Sequence, residues 1–186
     1  AVSVVALDSA DPDTASVLLI EQYRHAVGRR LWELPAGLLD VPGEPEQPAA
    51  ERELLEETGF RAEHWSVLLD VATSPGFSEE TVRIFLATGM TFAGRPDGAD
   101  NEEAELRVVW VPLRVAVQAA LAGAIVNVMA VAGVLAADAV LRGAGRLVDR
   151  ADADADADAG AADAPWTVHR GPGTPSAPPL DGSREL

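Results

Sequence analysis

Cysteine is absent from the 186 residues, which excludes a disulfide framework, a thiolate nucleophile and a Cys-based zinc site. Lysine is absent too, so all 14 basic residues are arginine. Aromatics make up only 5% of the chain, and the core must therefore be built from Ala, Val, Leu and Ile. Positive charge is scarce: 30 acidic residues outnumber the arginines and leave a net charge of −16. That balance argues against a nucleic-acid partner, because phosphate neutralisation needs a basic face. A small anionic ligand stays compatible, provided bound cations or a few arginines reverse the local field. The opening AVSVVALDSA lacks a basic segment followed by a long apolar one, so no signal peptide is visible and the cytoplasm is the expected compartment. The chain starts without Met, directly in strand-like alternation, and further sequence is expected to precede Ala1.

A long uninterrupted hydrophobic run is also missing. Residues 115–141 come nearest, but Gln118, Gly123, Asn127 and Asp138 break the run and no basic cluster flanks its start. Two short helices packed on a sheet or on a partner subunit explain it better than a membrane span. After about residue 146 the texture turns to ADADADADAGAADAP and then GPGTPSAPPLDGSREL. Such composition cannot bury enough apolar surface to offset its ordering entropy. From residue 151 the tail holds seven acidic residues against two Arg, so −5 of the −16 lies there and −11 remains. The expected organisation is one domain over 1–145 and a disordered, low-complexity tail over 146–186.

Within the domain, VSVVAL (2–7) and SVLLIEQ (16–22) read as strands, and Asp11-Pro12-Asp13 between them suggests a hairpin. Residues 35–48 are rich in Pro and Gly and read as a loop. Pro48 suits the first turn of a helix and Gly59 its C-terminal cap, which predicts a helix over roughly 48–58. Segments 65–72, 81–88 and 106–111 read as further strands, with an acidic loop, RPDGADNEEAE, between the last two. Helices are expected from Pro112 to about 122 and over roughly 126–142.

The informative stretch is GLLDVPGEPEQPAAERELLEETGF, residues 37–60. Each helical residue advances about 100°, so with Glu53 at zero, Glu57 lies near +40° and Glu56 near −60° (roughly). Three carboxylates thus share one face, while Leu54 and Leu55 fall on the other side. Like charges at these spacings destabilise a helix by a few tenths of a kcal/mol each. With Glu44 arriving from the preceding loop, the face calls for compensating positive charge. Magnesium suits it, being hard and usually held by one or two carboxylates with waters and substrate phosphates. The competing reading of ERELLEE alone is a solvated helical face of good helix formers.

The full pattern decides for the metal. Gly37, Glu44, Arg52-Glu53, Leu54, Glu56-Glu57, Gly59 and Phe60 resemble the Nudix box. Six residues stand between Gly37 and Glu44, where the usual pattern has five; the insertion sits in the loop and leaves the helical spacing intact. The resemblance implies an α/β fold, a Nudix-type α/β/α sandwich around a mixed β-sheet. It also implies Glu53 and Glu57 as principal metal ligands, the Ala36 carbonyl as another, and Glu56 assisting catalysis. Arg52 would orient the carboxylates, and Glu44 would be structural or an outer ligand. Mg²⁺ is the implied cofactor, with Mn²⁺ a substitute.

The surroundings narrow the family. LIEQYRHAVGRRLWELPAG is similar to the segment before the box in ADP-ribose pyrophosphatases, and SPGFSEE to their Ser-Pro-Gly motif. The likeness runs over about residues 2–140 and implies a homodimer with composite active sites. Its substrate would be ADP-ribose, cleaved to AMP and ribose 5-phosphate. Other nucleoside diphosphate sugars or dinucleotides are the alternative, and a non-catalytic nucleotide sensor is the reading outside enzymes. Intact Glu53, Glu56 and Glu57 count against the sensor.

By the same resemblance Arg24 contacts the diphosphate and Glu80 the ribose side, with Leu38, Ser74 and Gly76 also facing substrate. The bland reading of Arg24 is an ordinary strand-end charge. Trp32 either stacks on adenine or packs in the core. From the acidic loop, Glu102 is the implied general base and Glu103 the reserve, as a metal ligand; the bland reading of DNEEAE is a solvated loop. His25, His64 and His169 do not cluster in sequence and receive no role.

Overall fold

The computed structural model describes residues 1–96 and 106–144, together with the backbone of 184–185. The acidic loop, with Glu102 and Glu103, and most of the segment after 144 lie outside the described residues.

Strand β1 (Val2–Ala6) is buried at every residue, the pattern of a strand covered on both sides. It runs parallel to β7 (Thr81–Thr88), and its other edge takes the two-residue β4 (Ala36–Gly37). Strand β6 (His64–Ala72) completes this mixed sheet in the order β4-β1-β7-β6. A second sheet is antiparallel and has the order β10-β9-β2-β3. It is built from β2 (Ser16–Arg24), β3 (Arg29–Glu33), β9 (Arg107–Pro112) and β10 (Arg184–Glu185). A small ribbon pairs β5 (Phe60–Arg61) with β8 (Thr91–Phe92).

Alternation along the strands divides the interior into two cores. Val5, Leu7, Val17, Leu19, Ile84, Val109 and Val111 face helices α2 (Leu113–Leu121) and α3 (Val128–Leu141). Val2, Val4, Ala6, Leu18, Ile20, Phe85 and Trp110 face the other way, toward helix α1 (Glu46–Thr58). Helices thus cover both faces of the strands, and the expected α/β/α sandwich around a mixed sheet is what is found. The helices of the apolar run are short, and among the described residues no helix is long and apolar enough to cross a membrane.

Three expectations need correction. The turn at Asp11-Pro12-Asp13 is real, with the Asp13 N–H bonded to Asp11 Oδ1 at 2.9 Å, but it does not close a hairpin. Both edges of β1 are taken by β4 and β7, so β2 departs into the second sheet, and the two are joined just beyond β1 by an isolated bridge, Leu7 to Val17, and by hydrogen bonds between Asp8 and Ser16. Helix α1 begins at Glu46, two residues before the expected start, and Pro48, its third residue, lies in the first turn as expected. The tail is not wholly apart from the domain, because Arg184 and Glu185 pair with Trp110 and Val109 of β9. Strand β9 would otherwise present an open edge, and an unpaired edge accepts any extended segment.

Candidate active site

Helix α1 sets the site. Its C-terminal end is fixed by Gly59, whose φ of 77° is left-handed and whose N–H bonds to the Leu55 carbonyl at 2.8 Å. Only Gly takes that conformation without a Cβ penalty. Ala49, Ala50 and Leu54 are buried toward the sheet, which turns the carboxylates toward the loop that carries β4.

There the loop and the helix interlock. The Ala36 N–H donates to Glu57 Oε2 at 3.0 Å, and the Glu57 side chain is buried. A Cβ on Gly37 would collide with the Glu53 carboxyl group, so glycine is what lets that carboxylate lie against the strand backbone. The sharp loop therefore delivers the Ala36 backbone beside Glu53 and Glu57.

Arg52 supplies the positive charge that the acidic face demands. Its guanidinium donates to both Glu44 oxygens (3.2 and 3.1 Å), to Glu53 Oε1 at 2.6 Å and to Glu56 Oε2 at 3.0 Å. The hydrogen bonds with Glu44 are the main reason its pKa lies above the ordinary guanidinium value, followed by the charge of Glu53, while partial burial works the other way. Glu44 thus anchors Arg52 at the mouth of the loop.

The donor chemistry suits a hard divalent cation: the Glu53, Glu56 and Glu57 carboxylates and a backbone carbonyl, with no softer ligand among them. The Gly37 cradle holds one of these carboxylates against the loop. Among the described residues no three acidic or histidine side chains stand in a ready-made arrangement for a metal ion. The physical reason is visible in their partners: Glu53 and Glu56 turn to Arg52, and Glu57 to Ala36.

The remaining expected residues fall into three places. Leu38 continues the loop from Gly37 with its side chain exposed. Ser74, Gly76 and Glu80 lie in the connection between β6 and β7, where the Ser74 carbonyl accepts from Phe77 and Ser78, each at 3.0 Å. Glu80 accepts from Thr73 Oγ1 at 2.6 Å. Arg24 ends β2 and donates to both oxygens of Glu33, at 2.9 and 2.6 Å.

Trp32 corrects one expectation. Its side chain is 1% exposed and belongs to the core beneath α2 and α3, with Arg107 lying 5.5 Å over the ring. Of its two readings, packing is the one found, since a ring so enclosed offers no face to an adenine.

Sequence reasoning missed Glu33, which is fully buried yet charged. A carboxylate inside the strand RRLWE was a legible sign that it answers a nearby arginine. It also missed Arg83, an arginine inside the apolar strand TVRIFLAT, whose partners are Asp70 and Glu46.

The family model described as NUDIX domain matches residues 1–130. The chain belongs to the NUDIX domain family. It is 52% identical over 143 residues to an ADP-ribose pyrophosphatase of Mycobacterium tuberculosis, a match covering 77% of this chain and 67% of the relative. An ADP-ribose pyrophosphatase of Bacillus subtilis is 36% identical over 91 residues, 49% of each chain. A methanol dehydrogenase activator of Bacillus methanolicus is 36% identical over 103 residues, 55% of this chain and 53% of its own. The chain thus spans about two thirds of the mycobacterial relative and about half of the two Bacillus ones. Among solved structures, an ADP compounds hydrolase aligns with a TM-score of 0.63 and 25% identity, covering 78% of this chain and 74% of that one.

Proposed function

We propose that this chain is a pyrophosphohydrolase that cleaves ADP-ribose to AMP and ribose 5-phosphate with the help of Mg²⁺. The observation that carries the reading is the interlock of the box loop with α1, which presents Glu53 and Glu57 beside the Ala36 backbone. The 52% identity to the mycobacterial pyrophosphatase supports the choice of substrate.

Glu53, Glu57 and the Ala36 carbonyl would hold the ion, with Glu56 close by. When bound, the ion neutralises phosphoryl charge and eases deprotonation of the attacking water. The chain's own groups do the rest. Arg52 keeps Glu53 and Glu56 from repelling each other and sets their direction. Arg24, oriented by Glu33, holds the diphosphate, and Glu80 with Ser74, Gly76 and Leu38 receives the ribose side. Water attacks one phosphorus, the bridging oxygen leaves with the other phosphate, and the released proton passes to a carboxylate. Glu102 is that base by resemblance, with Glu103 the reserve.

We also propose that two copies of the chain combine their sites, as the resemblance to ADP-ribose pyrophosphatases implies; light scattering should then give twice the 19.4 kDa of one chain. The deciding assay follows nucleotide products chromatographically across ADP-ribose, other nucleoside diphosphate sugars and dinucleotides, with and without Mg²⁺. AMP released fastest from ADP-ribose, and only with the ion, is the expected result. Inertness toward ADP-ribose alongside turnover of another member of the panel would sink the substrate assignment.

A further inference from the structure

Arg83 stands where an arginine is costly. Its neighbours on β7, Val82 and Ile84, are core residues, and its own side chain is 8% exposed. A buried guanidinium must be paired and hydrogen-bonded to be tolerated. One partner lies directly across the β6–β7 ladder, where Asp70 is in register with Arg83. The pair is two-pronged, Nε to Oδ1 at 2.9 Å and Nη2 to Oδ2 at 3.0 Å, the arrangement that fixes a guanidinium plane most firmly. The remaining arm, Nη1, donates to Glu46 Oε2 at 2.5 Å.

Glu46 is the first residue of α1. Among the described residues, that end of the helix has little else to hold it. Pro45 at the N-cap offers no side-chain hydrogen bond, and the nearest buried side chains, Ala49 and Ala50, are single methyl groups. The opposite end is fixed by the Gly59 cap, by buried Leu54 and Thr58, and by Glu57 on Ala36. The Arg52–Glu44 pair joins helix to its preceding loop and moves with them. An arginine rooted in the central strand is therefore the polar tether between the free end of the helix and the sheet.

We propose that Arg83 is a positioning residue for the carboxylate face: by holding Glu46 it sets the tilt of α1, and so the placement of Glu53 and Glu56. The proposal rests on the metal-dependent reading above. Lever arithmetic gives its scale. Glu53 lies six residues from Gly59, about 9 Å at 1.5 Å per residue, so a tilt of roughly 10° about the capped end moves it about 1.5 Å. Functional groups must be held within about 0.5 Å of productive geometry, and a misplacement of about 1 Å can cost on the order of a hundredfold in rate.

The test uses Arg83→Met, Arg83→Lys and Glu46→Ala in the full chain, with Mn²⁺ binding read by paramagnetic resonance in the absence of substrate. Turnover of ADP-ribose against Mg²⁺ concentration and thermal midpoints are measured alongside. Arg83→Met and Glu46→Ala should each weaken Mn²⁺ binding about fivefold or more and lower kcat at least tenfold, while KM for ADP-ribose shifts less than about threefold. Arg83→Lys, which keeps a charged donor for Glu46, should recover part of both losses. Glu46→Ala removes the acceptor and leaves Arg83 paired with Asp70, so it remains informative if Arg83→Met fails to fold. Unchanged Mn²⁺ binding and kcat in folded Glu46→Ala would overturn the tether. A wild-type chain that binds Mn²⁺ yet spares ADP-ribose would sink the substrate reading and leave the tether standing, whereas one that binds no Mn²⁺ would remove the basis of both.

Discussion

Glu57 reaches back 21 residues to accept the Ala36 backbone N–H at 3.0 Å. This one bond ties the third carboxylate of the helix to the loop that precedes it, so carboxylate face and loop backbone cannot drift apart independently. The amide also shows what each isosteric change would do. Glu57→Gln retains a carbonyl oxygen to accept from Ala36 and loses only the charge. Glu53→Gln likewise preserves the packing against Gly37.

We therefore expect both variants to melt within a few degrees of the parent and to lose about a hundredfold or more in turnover, the scale of removing a catalytic electrostatic stabiliser. Steady-state rates at saturating Mg²⁺ check this. Either variant retaining parental turnover would remove that residue from the metal site.

Much of this site was legible from sequence because it is local. The spacing of Glu53, Glu56 and Glu57 follows from helical geometry alone, and Gly59 marks the helix end by its backbone chemistry. Strand β7 was placed at its observed bounds because the run TVRIFLAT is apolar and bounded by turns. What escaped is non-local. The pairing of β1 with β7 and β4, in place of β2, depends on which edges compete for it across the fold. Strand β4 is two residues long and hidden in a Pro/Gly loop. The partners of Arg83 lie 13 and 37 residues away, beyond any motif. Trp32 shows the limit most plainly: an aromatic in a strand reads the same whether its face meets a ligand or a helix.

Trp32 now carries a prediction of stability, not of binding. Trp32→Ala should cost about 3–5 kcal/mol by chemical denaturation, the usual penalty for emptying a large buried aromatic site. Trp32→Phe should leave KM for ADP-ribose within about twofold of the parent. A tenfold rise in KM with unchanged stability would restore the stacking role.

Arg52 is the common partner of Glu44, Glu53 and Glu56. Replacing it by Gln leaves three carboxylates facing one another without compensation, so turnover should fall at least tenfold. Lys, a point charge without the planar fork, should rescue only part of that loss. Because the Arg52 pKa is raised, its stabilising contribution is complete below the ordinary guanidinium value and is lost only as pH climbs through the raised one. The arginine itself should therefore impose no pH dependence on stability between about pH 5 and 9, as ordinary guanidinium groups titrate far above that range. Thermal midpoints of the parent and Arg52→Gln should differ by a near-constant amount from about pH 7 to 9, above the ordinary carboxylate range. A difference that vanishes toward the alkaline end would show that Arg52 is not the charged partner.

Arg24 and Glu33 separate binding from structure. Glu33 is fully buried, whereas Arg24 is 42% exposed, so one end of the pair reaches solvent while the other is locked in the strand. Removing the arginine alone would strand a buried charge, at a cost of up to about 3–5 kcal/mol and less to the extent that water reaches the site. Arg24→Gln thus confounds two effects. Arg24→Lys with Arg24→Met/Glu33→Met resolves them: the first keeps the charge and loses the two-pronged geometry, and the second removes both charges together. If Arg24 grips the diphosphate, both should raise KM for ADP-ribose at least tenfold, although the double variant melts near the parent. A double variant with parental KM would make Arg24 an ordinary strand-end charge and would leave the diphosphate to other groups.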